Sequence, residues 1–136
     1  MGRRRRTFVL LAIAVTILIL ELLPYGAVLE FAHMSPDLTL SYYEQHFSYF
    51  DPMVYGHGHF GPLLTVVLTC ILAVFAVVAV FLEGRAVRIA LRVASLLTLL
   101  FSLTPMLTGC YSPVGMAISA LLLVTCIISL KKEETV

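Results

Sequence analysis

The sequence predicts an all-α membrane protein: a four-transmembrane-helix bundle with a structured extracytoplasmic loop between the first and second helices. Three observations carry that prediction. The 136 residues are 60% hydrophobic and only 12% charged, with a mean hydropathy of +1.01, whereas a soluble domain carries about 25% charged residues. Four apolar runs, at about 7–23, 62–82, 87–107 and 114–130, reach or approach the roughly 20 residues a helix needs to cross the hydrocarbon layer. All nine Lys and Arg lie at the N-terminus, in the connection between the second and third runs, or at the C-terminus.

The first run follows Arg3 to Arg6, contains a single acid, Glu21, and ends near Pro24. An arginine cluster before an apolar run also describes a secretory signal peptide. The small-x-small cleavage pattern is missing from "ELLPYGAVLEF", so an uncleaved anchor is the expectation. The second run begins at Gly61-Pro62 and the fourth after Pro113; proline suits the first helical turn, where its missing N–H goes unused. The breakers "EGR" at 83–85 and "TGCYSP" at 108–113 separate the last three runs. Four crossings put the three cationic groups on one face, which the positive-inside rule makes cytoplasmic. The expectation is therefore a multi-pass protein of the cell membrane with both termini inside and the 24–61 segment outside, one membrane domain over 1–136.

In lipid, helices associate through small residues and shared hydroxyls. Ala73, Ala76 and Ala79, then Ala86, Ala90 and Ala94, recur at helical spacing; Gly115 and Ser119 form a small-xxx-small pair. Thr65 with Thr69, and Thr98 with Ser102, share helix faces. These read as packing seams with hydroxyls bonded back to their own helices, the alternative being a polar pathway. They also suit contact with another membrane protein or a second copy. Arg88 and Arg92, one turn apart, are expected to snorkel to lipid headgroups. Glu21 is the one acid inside a span. Such residues are candidates for ion or proton handling, although its place three residues before Pro24 also suits the outer interface.

The outer segment is too long for an idle linker. It holds Phe31, Phe47, Phe50, Phe60 and five tyrosines, which suit the headgroup level. "AVLEFA", "MSPD" and "LTLSYYEQHF" read as two strands about a Pro36-Asp37 turn. A short amphipathic helix capped at Ser35 is the other reading of the second limb. All four histidines lie here: His33, His46, His57 and His59. His57 and His59, with His46 or Asp51 as a third ligand, are the candidate zinc site. Gly56, Gly58 and Gly61 loosen that stretch, so it equally reads as a glycine-permitted turn leading into the second helix. No other cofactor is indicated.

Cys70, Cys110 and Cys126 match neither a redox pair nor a zinc knuckle. No metalloprotease, hydrolase or phosphate-loop motif is present, so an enzyme is not expected. The arginine cluster is explained by topology and anionic lipid rather than nucleic acid. The terminal "ETV" is a short match to carboxylate-capturing grooves.

The stretch "HFSYFDPMVYGHGHFGPLLTVVLTC", residues 46–70, resembles small four-span integral membrane proteins of Gram-positive bacteria. That resemblance implies fold and location and attaches no activity. Small multidrug-resistance transporters also have four short helices and a glutamate in the first; this chain departs in its long outer loop and less central acid. Claudins share a long first outer loop, but no Trp or cysteine pair stands in this one. Two functions follow as expectations. The first is a non-enzymatic structural or partner-binding membrane component; the second is a small transporter or ion-handling protein using Glu21 and the loop histidines.

Overall fold

The computed structural model describes residues 3–52, 60–82, 84–109 and 112–131. In chain order the elements are α1 (Arg3–Leu22), β1 (Ala27–Met34), β2 (Leu40–Phe47), α2 (Gly61–Phe81), α3 (Arg85–Ser102), α4 (Thr104–Leu107) and α5 (Pro113–Leu130). The long helices pack side by side, α1 and α3 each against both α2 and α5. Three segments are long and apolar enough to cross a membrane: Gly61–Phe81, Arg85–Leu107 and Pro113–Leu130. At roughly 1.5 Å per residue, the 21-residue α2 spans about 31 Å, close to a hydrocarbon core. α1 has 20 residues but begins with four arginines and contains Glu21, and it falls outside that set.

The distribution of side chains is the reverse of a soluble core. Leu63, Val67, Val74, Phe81, Leu96, Leu100, Leu123 and Ile127 are exposed, whereas Thr65, Thr69, Ser95, Thr98, Ser102, Ser119 and Thr125 are buried. A soluble protein rarely exposes so continuous an apolar surface. Small hydroxylated residues on the inside let helix backbones approach without a hydrophobic driving force between them. Most of these hydroxyls bond to their own helix: Thr65 to Gly61 O, Thr98 to Ala94 O and Thr125 to Leu121 O, at 2.7, 2.7 and 2.9 Å. Others cross between helices. Ser119 donates to Ser102 O at 3.1 Å, and Ser95 lies 3.0 Å from Ser129.

The third apolar run is not one helix. Pro105 has no N–H to give to Phe101 O, and α3 ends at Ser102. Thr104 Oγ1 supplies the donor instead, at 2.6 Å, and α4 restarts on a turn of its own. Pro62 and Pro113 do occupy the first turns of α2 and α5, as their positions in the sequence indicate.

The basic residues gather at one end. Arg6 donates to Ile128 O and Arg92 Nε to Ser129 O, the latter at 2.9 Å, so two cations sit on the C-terminal carbonyls of α5. That end carries the negative pole of the helix dipole, which favours them. Lys131 follows immediately.

At the opposite end residues 27–47 form an antiparallel hairpin, with Ala27 opposite Phe47 and Met34 opposite Leu40. The helical alternative for its second limb is not what forms. Ser35 N bonds Thr39 O at 3.0 Å and Leu38 N bonds Ser35 O at 2.9 Å, enclosing a turn over Pro36-Asp37. Leu38 sits at φ 59°, the left-handed position that completes such a three-residue loop. Glycine is the usual occupant there, and a leucine is strained by about 1–2 kcal/mol. Leu38 is 79% exposed and has little packing to offset this. Leu38→Gly is therefore expected to stabilise the hairpin by about 0.5–1 kcal/mol, net of glycine's greater freedom when unfolded. Slower amide exchange in β1 and β2 would register the gain.

Candidate functional site

The site begins where α1 ends. Glu21 is fully buried, at 0% exposure, and its side chain faces α2. Its backbone carbonyl accepts from Tyr49 N at 3.1 Å and from Ser48 Oγ at 2.7 Å. Its side-chain Oε1 lies 2.8 Å from Thr69 Oγ1. One residue thus joins the first helix, the second helix and the segment leaving the hairpin.

That segment is a tight turn. Ser48 N donates to Asp51 Oδ2 at 2.6 Å, and Asp51 N returns to Ser48 O at 3.2 Å. Phe50 N donates to Ser48 Oγ at 3.1 Å. Asp and Ser favour such turns because their short side chains reach nearby backbone. The turn aims Tyr49 inward, where it is 1% exposed and the largest fully buried side chain among the described residues.

Two glycines make room for the ring. A Cβ on Gly26 would stand 2.7 Å from Tyr49 Cδ1; one on Gly115 would stand 3.0 Å from Tyr49 Oη and 2.9 Å from Gly26 O. The Gly115–Ser119 pair therefore admits a tyrosine from the loop, and Ser119 reaches α3. Ser112 completes the joint. Its hydroxyl accepts from Gly115 N at 2.9 Å, capping α5, and donates to Gly26 O at 2.7 Å, just ahead of β1.

Two buried oxygens at this joint have no hydrogen-bond partner among the described residues: Glu21 Oε2 and Tyr49 Oη. Buried polar atoms are nearly always paired, so such an exception calls for a physical reason. Burial, and secondarily the charge of Glu21 when ionised, push the Tyr49 phenol up to about 12, leaving it a neutral hydroxyl at pH 7.

The described histidines are elsewhere. His33 and His46 are exposed on the hairpin, and His46 stacks edge-on against Tyr25 with ring centres 5.6 Å apart. Neither is bonded to Glu21. His57 and His59 lie outside the described residues, as does Cys110. Among the described residues no three His, Cys, Asp or Glu side chains group to hold a metal ion. Asp51 is already engaged by its own turn.

Arg88 is exposed and Arg92 half-buried in the first half of α3. Arg92 adds a specific bond to α5 that snorkelling does not require. Tyr49 was not legible as a functional residue in the sequence, where it is one of five loop tyrosines. Its one local signal is the Ser48–Asp51 turn that flanks it.

The hairpin itself has two dissimilar faces. Phe31 stacks on Tyr43 at 5.5 Å and tilts against Phe47 at 6.4 Å on one face. The other places Glu30 directly opposite Glu44, with exposed Tyr42, Met34 and Leu40 toward the turn and Val28 and His46 toward the base. Like charges facing across a strand pair repel. Comparison with family models, curated proteins and solved structures finds no match to this chain.

Proposed function

We propose that this protein is a non-enzymatic, four-span component of a cell membrane, with both termini cytoplasmic, that engages a partner through its outer hairpin. α1 is the fourth span, its arginines at the cytoplasmic surface and Glu21 near the outer one. The grouping of cations at the end opposite the hairpin supports this orientation.

The hairpin's exposure carries the reading: β2 is exposed from Leu40 to His46, while its base is bonded firmly to the helices. A two-stranded sheet has little stability alone, and here the joint at Glu21 and Tyr49 supports it. The outer segment contains four carboxylates and no Lys or Arg. Glu30 and Glu44 keep their mutual repulsion on a face that is apolar toward the turn, at Ala32, Tyr42, Met34 and Leu40, and carries Val28 and His46 toward the base. That surface fits a partner presenting a basic residue within an apolar patch, a lysine or arginine head between the acids and its apolar surroundings against Tyr42 and Leu40.

A photoreactive residue in place of Tyr42, in cells, tests this. A discrete adduct is expected, and Glu44→Lys should abolish it while stabilising the hairpin by about 0.2–1 kcal/mol through relief of the acid pair. No adduct at Tyr42, or one indifferent to Glu44→Lys, would remove the hairpin as a recognition surface. The histidines add no specific support to a transporter reading, since Glu21 is buried apart from those described.

A further inference from the structure

We propose that Glu21 is a buried proton-binding site, its carboxyl holding a proton from the outer aqueous phase and donating it to Thr69 Oγ1. The inference does not depend on what the hairpin binds. It starts from a count of hydrogens. Thr69 Oγ1 lies 2.8 Å from Glu21 Oε1 and 2.9 Å from Thr65 O. A threonine hydroxyl has one hydrogen, while a backbone carbonyl and an ionised carboxylate only accept. With an ionised Glu21, one hydrogen must be shared between two acceptors. With a protonated Glu21, the chain closes: the carboxyl donates to Thr69, and Thr69 donates to Thr65 O. Each short contact then has its own hydrogen.

The surroundings agree. Glu21 is entirely buried, and its Oε2 has no partner among the described residues. An ionised carboxylate is buried stably when paired with a cation or supplied with several donors. Here the inward residues of α2, Thr65 and Thr69, are uncharged, and so are Gly115 and Ile118 on α5. From the 48–51 turn comes Tyr49, a neutral phenol with an unpartnered hydroxyl. No Lys, Arg or His is bonded to Glu21 among the described residues. The seven basic residues whose side chains are described, Arg4 to Arg6, Arg85, Arg88, Arg92 and Lys131, all lie toward the opposite end of the helices. The missing positive charge is supplied by the proton itself. The step is a proton transfer: a carboxylate oxygen takes a proton from a hydronium ion of the external water, one O–H bond forms as the hydronium O–H bond breaks, and a water molecule is left behind.

Infrared spectroscopy of the full chain in lipid bilayers at pH 7 tests this. A carbonyl band of a protonated carboxylic acid is expected in the wild type and is lost in Glu21→Gln. Glutamine can still donate to Thr69 through its side-chain N–H, and the helical amide band in the same spectrum reports folding. Thr69→Val should shift the acid band without removing it, because the carboxyl loses the oxygen to which it donates. Should Glu21→Gln fail to fold, the Thr69→Val shift makes the assignment alone, and an unshifted band then overturns the proposal. Absence of the band in wild type, or its persistence in folded Glu21→Gln, also overturns it. Loss of the band when sodium replaces choline at constant pH would mean that the site takes a metal cation, contradicting the proton assignment.

Discussion

Tyr49→Ala is expected to cost about 3–5 kcal/mol, the range for deleting a large buried aromatic side chain, and to free the hairpin base. The ring occupies space kept open by Gly26 and Gly115 and is almost wholly out of contact with solvent. Tyr49→Phe keeps the ring and removes an oxygen with no hydrogen-bond partner. It is expected to stay within about 1 kcal/mol of wild type, on either side, since no bond is broken. Reversible unfolding in mixed micelles measures both variants. Equal losses would show that the hydroxyl, not the packing of the ring, holds the joint. Amide exchange localises the effect: in Tyr49→Ala, protection in β1 and β2 should fall before protection in α2 does.

Gly61→Ala should be the second large effect. Its Cβ would stand 1.8 Å from Thr104 Oγ1 and 3.1 Å from Thr104 Cβ. Thr104 cannot simply rotate away, because its hydroxyl supplies the hydrogen bond that Pro105 denies to Phe101 O. Forcing a methyl into a filled site costs about 1–3 kcal/mol, and the lost bond adds about 1 kcal/mol. Thr104→Ala removes the obstructing oxygen. The double variant should therefore be more stable than Gly61→Ala alone. A double variant as unstable as the sum of the two singles would mean that α2 and α4 do not meet at this position.

Much of the fold follows from local chemistry. Pro36-Asp37 between two alternating limbs indicates the hairpin turn, and Gly61-Pro62 and Ser112-Pro113 mark helix starts. The grouping of cations is a property of the sequence that the helices turn into a place, with Arg6 and Arg92 meeting at the end of α5. Other features are set by distant partners. Thr69 stands 48 positions from Glu21 and Ser112 stands 86 from Gly26, distances across which spacing has no predictive reach. Glu21 reads as interfacial from its distance to Pro24, yet the rotation of α1 directs it inward. Pro105 interrupts a run whose apolar composition is continuous on both sides, so composition alone passes over the break. Leu38 holds a turn position that glycine chemistry would ordinarily mark.

The joint and the hairpin have a function only if the hairpin stands on one side of the membrane and the basic end on the other. The deciding pair of positions flanks α1, because this helix, with Glu21 within it, is the crossing that composition leaves open. Arg4→Cys and Tyr42→Cys, each in a chain whose three native cysteines have been replaced, can be probed in intact cells with a thiol reagent that does not enter them. Tyr42→Cys should react at once and Arg4→Cys only after the membrane is permeabilised. Reaction of both in intact cells, or of neither, would place the two positions on the same side and contradict the account.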